Sequence, residues 1–462
     1  MKRVQFLTVL AVIAVLAIAI SACAGGAPSG AAVQQAAPTV AAAAQKAAEA
    51  APTVAAAVKA AAPTAAAAAP TAAAAAGGAA APAATVKIVS SLPMTGSSLG
   101  QTQTVVNAVK QALEETNFTA CDGKVKIVYE PWDDATAAAG KWTPEAETEN
   151  ANKAAADKSI IAYIGTFNSG AAKLSIPILN QAGPLVMVSP ANTYPGLTKT
   201  AGAAQGEPDV YYPTKTRNYT RVVPADDLQG AAGANWAKQL GAKNVYILDD
   251  QELYGKGLAD VFEASAKKLG LNVLGHEGID GKASDYKALA NKIKGANPDL
   301  IYYGGITQNN AGQLVKDIRS VGMTPDKVKI MGPDGIYEQA YIDAAGKDAA
   351  EGTYVTFGGV PAEKLTGKAK DWYDAYKKKY NAEPEVYAVY GYEAAKVLLN
   401  ALNKICANPT DRKAMRDAVF ATKDYEGVLG KWSFDQNGDT TLTTMSGGQV
   451  KNGKFEFVST LA

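Results

Sequence analysis

The chain has a single histidine, His276, and three cysteines, Cys23, Cys121 and Cys406, among its 462 residues. A lone histidine argues against most zinc sites and against His-dependent nucleophilic catalysis. Charge of neither sign is in excess: 45 Lys+Arg stand against 44 Asp+Glu, and removal of Lys2 and Arg3 with a signal segment leaves 43 against 44. A nucleic-acid-binding surface needs a basic excess to neutralise phosphates, so no nucleic-acid partner is expected. The sequence contains no G-x-x-x-x-G-K-[ST], no G-x-G-x-x-G and no H-E-x-x-H. It therefore carries no signature for nucleotide phosphates, dinucleotides or a metalloprotease zinc, and no cofactor or metal is expected.

Three motifs that do occur are poor matches. Gly96-Ser97-Ser98-Leu99-Gly100 fits G-x-S-x-G. A nucleophile elbow needs its Ser on a sharp turn directly after a strand, with a His partner. Here Ser91 to Thr95 intervene and His276 is the only candidate. A surface hydrolase built on Ser98 is thereby a weak rival. Ser265-Ala266-Lys267-Lys268 fits S-x-x-K inside a polar helical run. Asp435 to Asp439 resembles the start of a calcium loop, but Thr440 replaces the required Gly and Ser446 the closing Glu. A turn between Trp432-Ser433-Phe434 and the following strand is the better reading. The chain reads as a non-enzyme.

What is present begins at the N-terminus. Met1-Lys2-Arg3 precedes an apolar run to Ile20, followed by Ser21-Ala22-Cys23. That is a charged n-region, a short apolar h-region and a small-residue cleavage site. Ile20-Ser21-Ala22-Cys23 resembles a bacterial lipobox, which implies cleavage after residue 22, lipidation of Cys23 and an extracytoplasmic protein anchored to the cell membrane. A plain signal peptide or an uncleaved anchor is the alternative. Residues 23–84 are rich in Ala, Pro and Thr, with Pro38, Pro52, Pro63 and Pro70 recurring in similar units. Too few large apolar side chains recur there to build a core, and the prolines break helix. As a coil of about 60 residues it would reach roughly 45 Å, enough for a tether. Export also makes a Cys121–Cys406 disulfide possible; two separate buried thiols are the other option.

From residue 85 onward, short apolar strand-like runs alternate with amphipathic helical runs. The runs at Val86–Val89, Val125–Tyr129, Ile160–Ile164, Leu185–Val188, Val245–Leu248, Val273–Leu274, Leu300–Tyr303 and Lys329–Met331 read as buried strands. The pattern predicts an α/β protein with parallel sheets. About 378 residues exceed what one core holds, so two lobes are expected. Trp372, Tyr373, Tyr376 and Tyr380 fall on one helical face and read as core.

Three loops follow apolar strands, where parallel sheets collect ligands. They are Pro93–Gly100, Gly165–Gly170 and Ser189–Thr193. The last two place hydroxyls beside backbone N–H groups at expected helix starts, which suits a carboxylate; ordinary capping by Ser169 and Thr193 is equally open.

Five segments in order then resemble the leucine/isoleucine/valine-binding family of substrate-binding proteins that serve ABC importers. They are Ile164–Gly170, Val188–Thr193, Asp249-Asp250 with Tyr254–Gly257, Tyr302–Gly305 and Met331–Gly335. The resemblance implies a type I periplasmic-binding-protein fold, with two doubly wound parallel-sheet lobes joined by a three-segment hinge. Lobe 1 is drawn at 85–226 and 357–443, and lobe 2 at 227–356 and 444–462. It implies an amino-acid ligand, branched-chain or otherwise aliphatic, an ABC permease as partner, and a monomer. Ser169 and Thr193 match the carboxylate-binding hydroxyls, and the carbonyl of Ala191 and the carboxylate of Asp334 match the ammonium site. Tyr254 matches an aromatic near the ligand, and Phe167, Leu99 and Tyr387 are candidates for the side-chain wall. The chain departs from the family at Leu99, where an aromatic is common, at Ile306-Thr307, where Tyr is common, and at Asp334, where Glu is frequent. Small amides, urea and aromatic acids are ligands of related folds, and a ligand sensor is a further alternative.

Overall fold

The computed structural model describes residues 83–361 and 364–461. The signal segment 1–22, Cys23 and the tether up to residue 82 lie outside the described residues. The chain runs β1 (Ala84–Leu92), α1 (Leu99–Glu114), β2 (Thr119–Ala120), β3 (Val125–Asp133), β4 (Ala135–Thr136), β5 (Lys141–Trp142), α2 (Pro144–Ala156), β6 (Ile160–Gly165), α3 (Ser169–Asn180), β7 (Val186–Ser189) and β8 (Tyr219–Arg221). It continues as α4 (Asp226–Gln239), β9 (Asn244–Asp249), α5 (Leu253–Lys268), β10 (Asn272–Gly278), α6 (Lys287–Ala296), β11 (Leu300–Gly304), α7 (Ala311–Ser320), β12 (Lys329–Gly332), α8 (Gln339–Ala345), α9 (Lys347–Ala350) and β13 (Tyr354–Gly358). It closes with α10 (Lys368–Tyr380), α11 (Ala388–Leu402), α12 (Arg412–Phe420), β14 (Tyr425–Gly427), β15 (Gly430–Trp432), β16 (Met445–Lys451) and β17 (Lys454–Leu461). Among the described residues no helix is long and apolar enough to cross a membrane.

Two sheets organise these elements. The first has the order β2-β3-β1-β6-β7-β8 and the second β10-β9-β11-β12-β13-β16-β17. The central pairs are parallel; β2 and the closing strands β16 and β17 pair antiparallel. β6 and β7 are buried at every position, which explains why they read as continuous apolar runs instead of alternating ones. β8 has three residues and β13 includes Thr356 and Gly358, so neither carries the apolar run that marks the others. β13 continues in the second sheet to Gly358, pairing Phe357 with Ser446 and Gly358 with Met445.

The deepest helix is α11, where Tyr390, Ala394, Ala395, Val397, Leu398, Ala401 and Leu402 are all buried. It packs on α1 so closely that a Cβ on Gly391 would sit 2.7 Å from Val105 Cγ1 and 2.9 Å from the Val105 carbonyl oxygen. Cys121 and Cys406 form a disulfide that joins the turn between β2 and β3 to the segment after α11, and the Cys121 N–H donates to Asn403 Oδ1 at 2.7 Å. Trp372, Tyr373 and Tyr376 are buried and Tyr380 packs against the same core, so the aromatic stripe of α10 is structural. Asp435 to Asp439 forms a turn, with Asp435 Oδ1 accepting from the Asn437 and Asp439 N–H groups at 2.8 and 2.9 Å.

Candidate functional site

The loop after β6 and the N-terminus of α3 form one wall. Asn168 is the N-cap of α3 in extended conformation, and its side chain makes no capping bond. Ser169 is therefore the first helical residue; the Ala171 N–H donates to the Asn168 carbonyl at 3.1 Å, which leaves the Ser169 and Gly170 N–H groups without an intrahelical acceptor. The loop after β7 packs beside it. Ser189 Oγ accepts from the Ala191 and Asn192 N–H groups at 3.1 and 2.8 Å, and Asn192 Nδ2 donates to the Phe167 carbonyl at 2.9 Å. The Tyr194 N–H donates to Ser169 Oγ at 3.3 Å. Thr193 does not start a longer helix; a short 3₁₀ turn follows at Pro195–Leu197. The Thr193 Oγ1 and Asn168 Oδ1 atoms are buried without a hydrogen-bond partner.

Arg221 holds this loop in place. Its side chain is fully buried and donates to the Asn192 and Tyr194 carbonyls at 3.2 and 2.8 Å and to Asp439 Oδ1 at 2.7 Å. Burial alone would raise the Asp439 carboxyl; the charges of Arg221 and Lys199 outweigh it and hold the group below the ordinary range.

The opposite wall is acidic. Asp334 follows β12 and is buried. Its Oδ1 accepts from Gln229 Nε2 at 2.6 Å and from the Tyr254 hydroxyl at 2.8 Å, and its Oδ2 accepts from the Tyr387 hydroxyl. The Tyr254 hydroxyl in turn accepts from the Gly335 N–H at 3.0 Å. Burial pushes the Asp334 carboxyl up to about 6, against the stabilising bonds from Tyr254 and Gln229. Asp226, the first residue of α4, is a second buried carboxylate, and neither of its oxygens has a hydrogen-bond partner. Burial raises its proton affinity, the Asp334 charge adds to that, and the neighbouring Thr193 hydroxyl and Arg221 oppose it.

A nearly closed cavity of about 20 Å³, room for about one water, is lined by Phe167, Asn168, Ser169, Ala191, Tyr254, Ile306, Asp334, Gly335 and Tyr387. Phe167 and Tyr387 meet edge to face with centroids 5.4 Å apart. A Cβ on Gly335 would lie 2.7 Å from the Gly305 carbonyl oxygen and 2.9 Å from Tyr254 Cε1, so only glycine fits this floor. At the rim, Lys141 Nζ on β5 reaches Glu252 at 3.2 Å and Asn309 at 2.7 Å. Elsewhere Gln101 Nε2 approaches Glu338 at 3.4 Å.

Of the sequence candidates, Phe167, Ser169, Ala191, Tyr254, Asp334 and Tyr387 share this cavity. Thr193 lies behind the wall, beside Asp226. Leu99 is 39% exposed at the start of α1 and does not line the space. Asp226 and Gln229 escape sequence reasoning, because an acidic residue in a helix's first turn is ordinary dipole complementation.

A family profile described as periplasmic binding protein matches residues 85–454. The Leu/Ile/Val-binding protein homolog 2 of Brucella abortus is 30% identical over 363 residues, which is 78% of this chain and 89% of that protein. A leucine binding protein from Thermotoga maritima superposes with a TM-score of 0.69 at 28% identity, covering 81% of this chain and 98% of that one. A branched-chain amino acid transporter substrate binding protein from Streptococcus pneumoniae, in complex with isoleucine, superposes with a TM-score of 0.68 at 25% identity, covering 82% and 99%.

Proposed function

The chain belongs to the periplasmic binding protein family, in its type I fold, and from that premise we propose that it is the extracytoplasmic substrate-binding lipoprotein of an ABC importer. It captures an amino acid, branched-chain or otherwise aliphatic, between two lobes and delivers it to the membrane permease. The observation that carries the reading is the division of the cavity: the Ser169 hydroxyl and the start of α3 on one side, the buried Asp334 carboxylate on the other. An α-amino acid presents a carboxylate and an ammonium, which complement these walls in turn.

In this reading Ser169 and the first N–H groups of α3 bind the α-carboxylate, assisted by Thr193. The Ala191 carbonyl and the Asp334 carboxylate hold the ammonium, with the Asp226 carboxyl behind Asp334. Tyr254 and Tyr387 keep Asp334 oriented. Phe167, Ile306 and the Tyr387 ring bound the aliphatic side chain. The lobes exchange chain at about 226, 357 and 443, which serve as the hinge. Ligand that touches both walls binds the closed form better and shifts the population toward it. Cys23 carries the lipid, the segment 23–84 holds the monomeric receptor off the membrane, and no enzymatic step is involved.

A thermal-shift and calorimetric screen tests the reading. Leucine, isoleucine and valine at about 100 times Kd are expected to add roughly 2.7 kcal/mol of stability, with urea, small amides and benzoate as comparison ligands. Binding of a ligand without an ammonium, and of no amino acid, would overturn it. For the anchor, intact mass of the membrane form is expected to show an acylated Cys23; retention of Met1 would refute that part.

A further inference from the structure

The one histidine of the chain lies outside the cavity, in a cluster that the transport reading does not use. His276 is on β10, the edge strand of the second sheet. Its Nδ1 lies 2.8 Å from Glu263 Oε2 and 3.9 Å from Asp260 Oδ1. Asp260 and Glu263 are three residues apart on α5 and so face the same way. The three ligand atoms, one from each residue, all fall within 4.8 Å of one another. Metal–nitrogen and metal–oxygen bonds of about 2.0–2.2 Å would bring such a set together with small side-chain adjustments.

The other ring nitrogen makes the case. His276 Nε2 lies 3.2 Å from Asp249 Oδ2, at the end of β9, and that carboxylate is 5% exposed. The same Asp249 is fixed from the backbone, its Oδ1 accepting from the Gln251 N–H at 2.7 Å. Each ring nitrogen thus donates to a carboxylate in this form; a cation arriving at Nδ1 displaces that proton and leaves the Nε2 N–H on Asp249, the usual outer support of a metal-bound histidine.

We propose that Asp260, Glu263 and His276, with Asp249 behind the imidazole, form a binding site for a borderline divalent cation of the zinc class, tying α5 to β10. The imidazole favours such an ion over magnesium or calcium, which prefer all-oxygen sets. The sequence expectation of no metal rested on the rarity of histidine, and a one-histidine, two-carboxylate set needs only this one. The carboxylates are held meanwhile by Lys256 on Asp260 at 2.7 Å and Lys267 on Glu263 at 2.6 Å. Both lysines are more than half exposed. Such i,i+4 pairs contribute little, so an incoming cation displaces them readily.

The test is a ZnCl₂ titration of the full-length protein, purified without a polyhistidine tag, by calorimetry and by NMR of the histidine ring. With one histidine in the chain, the ring signal reports this site alone. One zinc per chain and a shifted imidazole signal are expected, with MgCl₂ and CaCl₂ giving neither. His276→Asn should lower zinc affinity by about a hundredfold or more, and Asp249→Asn by roughly 10–100-fold. Lys256→Ala should tighten it severalfold by freeing Asp260. Should the Asn variants melt at lower temperature than the parent, Glu263→Gln and the parent's ring signal decide. A ring signal unmoved by zinc, or unchanged affinity in folded His276→Asn, would overturn the proposal.

Discussion

The two walls of the cavity solve the same problem, presenting polar groups in a buried space, in opposite ways. The wall of β6, β7 and α3 is electrically neutral and uses backbone: a helix start, a loop clipped by Asn192, and hydroxyls at Ser169 and Thr193. Its one buried charge pair, Arg221–Asp439, sits behind the loop and anchors it. The wall of β12, α4 and α5 uses full charges. Asp334 is saturated by Gln229, Tyr254 and Tyr387, whereas Asp226 has no hydrogen-bond partner. Backbone donors lose little when one side chain is removed, because the rest remain. A buried carboxylate facing a cation does not have that redundancy, so the acidic wall should be the more sensitive to single substitutions.

The largest expected effect is therefore on the acidic side. Asp334→Asn retains the shape and removes the charge. A buried ammonium without its counter-charge costs roughly 3–5 kcal/mol, so calorimetry should read a loss of affinity of about a hundredfold or more. Asp226→Asn sharpens the contrast: it removes a carboxylate that has no partner in the ligand-free protein, and the ligand-free melting temperature should rise. Unchanged affinity in Asp334→Asn would mean the ammonium has another partner.

A control outside both walls comes next. Reducing the Cys121–Cys406 bridge, whose ends are 285 residues apart in sequence, or combining Cys121→Ser with Cys406→Ser, should cost about 2–5 kcal/mol of stability. Affinity should stay within about twofold, since the bridge joins the β2–β3 turn to the segment after α11. Denaturant unfolding measures the first and calorimetry the second. On the neutral wall, Ser169→Ala should cost roughly 1–3 kcal/mol of binding, because backbone donors remain. A cost equal to that of Asp334→Asn would erase the distinction between the walls.

The pH response distinguishes them too. Burial holds Asp334 near 6, above the usual value of about 3.9 in an unfolded chain. Between about pH 4 and 6 the folded state binds more protons than the unfolded one, so this group makes the ligand-free protein less stable as pH rises through that window. An ammonium ligand needs the carboxylate. Its affinity should therefore weaken as pH falls below about 6, by at most about tenfold per unit for one proton. Calorimetry at about pH 7.5 and about pH 5 reads the change; a flat profile would remove Asp334 from the ammonium site. The smallest effect belongs to the rim. Lys141 and Glu252 are each about a quarter exposed, and such pairs give about 0.2–1 kcal/mol, so Lys141→Ala should speed ligand release only a few-fold in stopped-flow experiments.

Much of this architecture was legible from strand signals alone. Fully buried strands such as Ile160–Gly165 and Val186–Ser189 are apolar almost throughout, and parallel sheets place ligand loops at their ends, so Ser169 and Ala191 could be located by position. Asp334, in the turn after β12, was legible through the family resemblance. Asp226 was not, since nothing in Pro224-Ala225-Asp226-Asp227 separates a solvated helix-start acid from one with no exposure. Arg412 was equally silent: its guanidinium donates to the carbonyls of Ala154, Ala155, Asp157, Ile160 and Ala182, partners some 230 or more residues away in sequence.

By itself, then, the sequence determined the alternation of strands and helices, the places where the chain turns over the sheet ends, and the absence of catalytic signatures. Those properties are local: hydrophobic period, turn residues and motif spacing are written in neighbouring residues. The tertiary structure alone decided which carboxylates are buried and unpaired, which arginine pins the loop after β7, and that His276 meets Asp249, Asp260 and Glu263. Burial and charge pairing depend on contacts between distant segments, and those exist only once the sheets have formed.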